Sequence, residues 1–216
     1  MTFDLFDDAP PASSATRIAP GAVVLHGFAC DEAAALLLAV EEITVQAPLR
    51  HLLTPGGHVM SVAMSNCGPL GWVSDRSGYR YEACDPTTGQ PWPPLPDAWL
   101  DLARRAAAQA GYDNFKPSAC LINEYKPATK LSLHQDKDEN DLRQPIVSVS
   151  LGLPAVFQFG TLRREDRPAC WRLVHGDVVV WGGPSRLAFH GVLPLADGMH
   201  ALTGQRRINL TFRCAA

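Results

Sequence analysis

The chain is expected to fold as a mostly β protein with flanking helices, and three observations predict it. After residue 118, short runs rich in β-branched and aromatic residues recur at roughly 118–125, 131–135, 146–152, 155–159, 171–175, 177–181, 186–192 and 206–213. Turn signals separate them, among them Lys126-Pro127, Gly152, Pro154, Gly160, Gly176 and Gly182-Gly183. No helical stretch lies between these runs, which indicates an antiparallel sandwich or barrel rather than alternating βαβ units.

In chain order, residues 1 to about 20 are prominent in Asp, Ser and Pro and read as a loose, flexible leader. An extension over 21–117 and a β core over 118–216 follow. From Asp31, placed to cap it, an Ala- and Leu-rich helix is expected to run to about Gln46, with Pro48 closing it. A second helix spans Asp97 to Ala110, bracketed by Pro96 and Gly111. Both should pack outside a sheet. Residues 50–95, rich in Gly, Pro and aromatics including Trp72, Tyr79, Tyr81 and Trp92, are long for a structureless loop, and a lid is the expectation there.

Composition narrows the class. At 216 residues and 46% hydrophobic, the chain buries enough core for one domain. A formal charge of −3 gives no general attraction to nucleic acid, so any basic surface must be a patch. Lys126, Lys130, Lys137, Arg143, Arg163, Arg164, Arg167 and Arg172 are concentrated enough to form one, although a solvated surface is the commoner fate of such charges. The six cysteines show neither close pairs nor zinc-type spacing, so reduced thiols are expected. Without a secretory signal or a bilayer-length apolar run, the chain reads as a cytoplasmic enzyme with no membrane association.

Chemistry enters at Leu131-Ser-Leu-His134-Gln-Asp136. In an extended segment His134 and Asp136 project to the same side, so one strand end can supply an imidazole and a carboxylate. His190, in Arg186-Leu-Ala-Phe-His190-Gly, is the third candidate. Two imidazoles and one carboxylate leave up to three metal positions open, the arrangement of non-haem Fe(II) oxygenases.

Near the C-terminus, Arg207-Ile-Asn209-Leu-Thr211-Phe-Arg213 alternates strictly. Ile208, Leu210 and Phe212 form an apolar face, opposite Arg207, Asn209, Thr211 and Arg213. Guanidinium groups on a covered face need anionic partners, and two of them suit a small dicarboxylate. At ~3.3 Å per residue the two arginine backbones stand roughly 20 Å apart, so their side chains must lean inward to share one ligand. Asn123 and Tyr125, also two residues apart, form another same-face pair.

Together with Met60-Ser-Val-Ala-Met64-Ser-Asn-Cys-Gly, Leu121-Ile-Asn123-Glu-Tyr125, the stretch from Leu131 to Glu139, Pro145-Ile-Val-Ser-Val-Ser-Leu-Gly and His175-Gly-Asp-Val-Val-Val-Trp-Gly-Gly, these motifs resemble the AlkB family of Fe(II)- and 2-oxoglutarate-dependent DNA repair dioxygenases over nearly the whole length. The resemblance implies a double-stranded β-helix, or jelly roll, preceded by a helical extension with a nucleotide-recognition lid. It implies that His134, Asp136 and His190 hold Fe(II), and that Asn123, Tyr125, Arg207, Asn209 and Arg213 hold 2-oxoglutarate, with O₂ as the oxidant. It further implies demethylation of bases such as 1-methyladenine and 3-methylcytosine in single- or double-stranded DNA, with RNA as a further candidate, releasing succinate and formaldehyde.

By the same resemblance, Trp72 and His134 sandwich a flipped base while Met64 and Tyr79 contact the nucleotide. Arg164 matches a substrate-binding position of the family. On charge grounds, a carboxylate from Asp138 or Glu139 beside an electron-rich indole would favour a cationic lesion, and a monomer is expected. The spacing of Thr161-Leu-Arg-Arg-Glu-Asp-Arg-Pro-Ala-Cys before Trp171 departs from the family pattern, which weakens the assignment of Arg164. From the ligand set alone, a cupin-like metal module, a zinc hydrolase and a hydroxylase of protein, lipid or small molecules stay open.

Overall fold

The protein is described over residues 14–215 in a computed structural model. Strands β1 (Ala15–Ala19) and β2 (Ala22–Leu25) precede helix α1 (Ala33–Gln46). Then come β3 (Arg50–Leu53), β4 (Val59–Cys67), β5 (Gly71–Asp75), β6 (Gly78–Glu82) and helix α2 (Asp97–Gln109). The remainder is β7 (Ala119–Tyr125), β8 (Leu131–His134), β9 (Ile146–Gly152), β10 (Ala155–Phe159), β11 (Ala169–Leu173), β12 (Val178–Trp181), β13 (His190–Val192) and β14 (Arg207–Arg213).

Three sheets result. The large one has the order β1-β2-β12-β9-β14-β7-β4-β3, the small one β11-β10-β13-β8, and β5-β6 is a separate hairpin. Apolar residues of the large and small sheets, including Val24, Leu121, Ile146, Phe157, Phe159 and Val192, share one core cluster, so the two sheets pack face to face. The opposite face of the large sheet carries Ile122, Val149, Val180, Ile208, Leu210 and Phe212, which cluster with apolar residues of both helices. This is the expected jelly-roll arrangement with helices outside. Strands from either side of residue 118 share the large sheet.

Helix α2 shows why the sequence folds as it does. Trp99, Leu102, Ala103, Ala106 and Ala107 are buried at the i, i+3, i+4, i+7, i+8 spacing of one helical stripe. Trp99 meets Phe212 edge-on at 6.1 Å, fixing the helix to the apolar face of β14. The helix stops in a Schellman turn: Gly111 has φ +86°, and Tyr112 N–H donates to Ala107 O while Gly111 N–H donates to Ala108 O.

Several expectations are corrected. Ala15–Ala19 of the supposed leader is a strand, because Pro20-Gly21 turns the chain and lets Ala15, Thr16, Arg17 and Ala19 pair along β2. Residues 1–13 lie outside the described residues. Asp31 does not cap α1; Glu32 stands at that position and makes no side-chain capping bond. Half of residues 50–95 is strand, with β3 and β4 integrated in the large sheet and β5-β6 standing apart as a lid-like hairpin. In the 186–192 run only His190–Val192 is strand, preceded by a 3₁₀ turn at Gly183–Ser185.

Gly152 closes β9 directly opposite Arg207 with φ +90°, and a Cβ there would lie 2.3 Å from Thr203 Oγ1 and 2.5 Å from the Arg206 carbonyl oxygen. Gly152→Ala is therefore expected to destabilise the protein by about 2–4 kcal/mol, read as a fall in urea midpoint at unchanged slope.

Candidate active site

Strand β8 ends at His134, β13 begins at His190, and the two residues are register partners. Their ring centroids are 4.3 Å apart. Asp136 lies just beyond β8, with Oδ1 3.6 Å from His134 Nε2 and Oδ2 3.7 Å from His190 Nε2. One ligand atom from each of the three residues falls within 4.8 Å of the others, and no other such His, Cys, Asp or Glu group occurs among the described residues. Side chains far apart in sequence thus converge as the motif requires.

The donor chemistry fits Fe(II). Each histidine Nδ1 lies 2.9 Å from a backbone carbonyl two residues earlier, Ser132 O for His134 and Ala188 O for His190. A carbonyl only accepts, so Nδ1 carries the hydrogen and the Nε2 lone pair is left for a metal. Burial, reinforced by the neighbouring His134, pushes the His190 pKa down to about 4, keeping that imidazole neutral and ready to ligate. Burial alone would raise the Asp136 pKa, but Arg213 and the two histidines hold it well below the usual carboxylate range.

The polar face of β14 forms the floor beside this centre. Arg207, Asn209, Thr211 and Arg213 are all buried. Arg213 donates from Nε and Nη2 to Asp136 Oδ2 at 3.0 and 2.8 Å. Arg207 sits at the other end of the strand, 4.9 Å over the Tyr125 ring, with Nη2 donating to Ser150 Oγ at 2.9 Å. Its Nε and Nη1 have no hydrogen-bond partner, nor does Asn123 Oδ1. Burial lowers the pKa of Arg207, the signature of a cation short of an anion.

The guanidiniums therefore do not meet, as the strand length warned. One clamps the metal-binding carboxylate, and the other awaits a counter-charge farther along. Asn209 is tied into the floor: its amide nitrogen donates to Ser148 Oγ and Val149 O, and its Oδ1 accepts from Asn123 and Thr211.

The nucleotide-side residues separate into two groups. Trp72 and Tyr79 stack at 5.5 Å with a 14° interplanar angle, and Trp72 Nε1 donates to Asp138 Oδ2 at 2.9 Å. Met64 pairs with Asn123 across β4 and β7 and helps line a cavity of about 110 Å³ under the hairpin, together with Asn66, Trp72 and Trp92. Arg164 is on the rim, donating to Leu133 O at 2.8 Å and lying 5.6 Å over the Phe189 ring.

Glu139, expected at the substrate, is drawn into the protein. It is buried, accepting from Tyr81 Oη at 2.7 Å and Arg186 Nη2 at 3.0 Å, because two nearby arginines demand a counter-charge inside the protein. Ser148, Ser150, Tyr81 and Arg186 were not among the expected site residues. The alternation of Ser148 and Ser150 with Val147, Val149 and Leu151 was the available signal for the first two.

A jelly roll carrying two histidines and a carboxylate at one sheet edge, beside a buried unpaired arginine, defines a non-haem Fe(II) oxygenase that uses an anionic co-substrate. Comparison with known proteins agrees: the model for the 2OG-Fe(II) oxygenase superfamily matches residues 21–213. The chain is 58% identical to the alpha-ketoglutarate-dependent dioxygenase AlkB of Salmonella typhimurium, over 99% of this chain and 98% of that protein. It is 56% identical to the Escherichia coli protein of the same name, over 98% and 97%. The solved structure of OsALKBH1 superposes with a TM-score of 0.81 at 27% identity, covering 93% of this chain and 99% of that one. A tRNA demethylase of Schizosaccharomyces pombe, abh1, is 32% identical over 63% of this chain and 47% of its own length. The chain belongs to the AlkB family of Fe(II)- and 2-oxoglutarate-dependent dioxygenases, whose cofactor, co-substrate and oxidant are Fe(II), 2-oxoglutarate and O₂.

Two outcomes follow from these charges. Arg207→Met removes a buried, under-paired cation, so the ligand-free protein should melt higher than wild type, while stabilisation by 2-oxoglutarate disappears and its KM rises at least ~30-fold. Thermal scans with and without the co-substrate, together with kinetics, read both effects. His190, at about 4 when folded against 6.5 when free, stays neutral while the unfolded chain takes up a proton. Stability of the metal-free protein should be full above pH 6.5 and fall by about 3 kcal/mol toward pH 4, a slope His190→Asn should remove in urea titrations.

Proposed function

We propose that this enzyme oxidatively removes N-methyl groups from damaged bases in DNA, with 1-methyladenine and 3-methylcytosine as substrates and methylated RNA as a further one, and that it works as a monomer. The observation that carries this reading is the Trp72–Tyr79 stack, latched through Asp138 to the strap that bears Asp136. It offers a flat aromatic platform next to the metal-binding side chains, and Tyr79 is 47% exposed.

A methylated base cannot reach a buried centre inside a duplex, so it must be unstacked and turned out. An indole and a phenol already stacked on each other offer a replacement surface for the lost base neighbours. Arg164 and the other basic residues between 126 and 172 are suited to the phosphates on the rim.

In the reading proposed here His134, Asp136 and His190 hold Fe(II), while Arg207, Asn123 and Tyr125 receive the distal carboxylate of 2-oxoglutarate, and Asn209 and Arg213 hold that pocket in shape. With 2-oxoglutarate and O₂, bound Fe(II) supplies the oxidising chemistry, which decarboxylates the keto acid to succinate and CO₂ and inserts one oxygen atom into a C–H bond of the N-methyl group. The hydroxymethyl product then breaks its C–N bond, leaving as formaldehyde and restoring the base. Around that chemistry the protein's own side chains orient the co-substrate, exclude water and stack the base. A zinc hydrolase or a plain metal module would leave Arg207 without a purpose.

Incubating the protein with Fe(II), 2-oxoglutarate, O₂ and an oligonucleotide holding one 1-methyladenine should release formaldehyde and succinate in equal amounts. Succinate without formaldehyde from any methylated nucleic acid would exclude the proposed substrate. Asp138 places a carboxylate at the indole edge, so Asp138→Ala is expected to reduce the preference for cationic over neutral N-methyl lesions, measured as a ratio of kcat/KM values.

A further inference from the structure

A connected set of buried charges runs from the metal-binding carboxylate to the hairpin. Arg213 Nε donates to Asp136 Oδ2 at 3.0 Å and also lies 3.4 Å from Glu139 Oε1. That same Oε1 accepts the Tyr81 hydroxyl of β6 at 2.7 Å. Glu139 Oε2 accepts from Arg186 Nη2 at 3.0 Å, while Arg186 Nη1 donates to the Asp136 backbone carbonyl at 2.7 Å. Arg186 is anchored in turn by Nε donating to Gln144 O. Two carboxylates face two guanidiniums, with Glu139 and Arg186 only 7% and 4% exposed, so a change at one member is not absorbed by solvent.

Glu139 Oε1 is the branch point. It is the acceptor for the hairpin's hydroxyl and the rival of Asp136 for Arg213 Nε. We propose that Tyr81 is a positioning residue: by occupying Glu139 Oε1 it leaves Arg213 committed to Asp136, so that seating of the β5-β6 hairpin sets the orientation of the metal-binding carboxylate. When the hairpin lifts, Glu139 loses its neutral donor and draws Arg213 Nε toward itself, and Asp136 loses one of its two guanidinium bonds. Trp72 is the cross-strand partner of Tyr81, so the stacking surface and the branch point move together. The other latch, Trp72 to Asp138, bonds to neither the Asp136 carboxylate nor Arg213, and so serves as a control.

The experiment measures Mn(II) affinity of the full chain by electron paramagnetic resonance, without co-substrate or nucleic acid, and amide exchange over residues 71–82. Tyr81→Phe and Trp72→Phe should both speed exchange in the hairpin. Only Tyr81→Phe should weaken Mn(II) binding, by up to about tenfold. Glu139→Gln removes the charge that competes for Arg213 Nε, so the double variant Tyr81→Phe/Glu139→Gln should bind Mn(II) more tightly than Tyr81→Phe alone.

The proposal is overturned if Tyr81→Phe binds Mn(II) as wild type does, if both hairpin variants weaken it equally, or if Glu139→Gln does not relieve the loss caused by Tyr81→Phe. It rests on the metal-site reading, which fails separately if wild type does not bind Mn(II) or if His190→Ala retains it.

Discussion

Burying an ionised carboxylate is costly, and the pair of hydrogen bonds from Arg213 Nε and Nη2 to Asp136 Oδ2 is the interaction that makes this site possible. Arg213 is on the central strand of the large sheet, whereas Asp136 follows the edge strand of the small sheet. The ion pair therefore joins the two layers at the point where His190 arrives from β13. Without it, Asp136 would favour its neutral form, a poor metal ligand, and the two layers would lose the polar contact that sets their relative position at the mouth. The pair also explains why the two arginines of one strand face divide their labour instead of gripping one anion together.

The remainder of the polar floor follows from the same need to satisfy every buried group. Asn209 uses both its amide hydrogens and its oxygen inside the sheet, and Ser148 and Ser150 answer it and Arg207 from β9. Among these floor residues, Arg207 Nε and Nη1 and Asn123 Oδ1 are left without a hydrogen-bond partner.

Much of this was legible in the sequence, where short-range pattern determines the outcome. The strict alternation of Arg207 to Arg213 survives as a strand with one face on the helices and one in the pocket, and the two-residue spacing of His134 and Asp136 survives as a converging ligand pair. Legibility failed where distant partners decide. Glu139 reads as a solvated loop acid because Arg186 and Arg213, which draw it inward, come much later in the chain. Ala15–Ala19 reads as loose because an edge strand takes its order from its neighbour, here β2. Asp31 has a capping residue's chemistry, but α1 starts at Ala33 with Glu32 before it, and no side chain caps it.

The placement of β14 has a bearing on how the molecule comes into being. Among the described strands it is the final one, yet it lies in the interior of the large sheet, hydrogen-bonded to β9 on one side and β7 on the other. A chain emerging from the ribosome would already hold every other strand before this one, with a gap where the sheet must close. Arg207 and Arg213 thus arrive last, and the pocket for an oxidising metal is completed only as the sheet itself becomes continuous. A product ending before β14 would keep the three metal-binding side chains yet lack the strand that joins β9 to β7 and the Arg213 that partners Asp136.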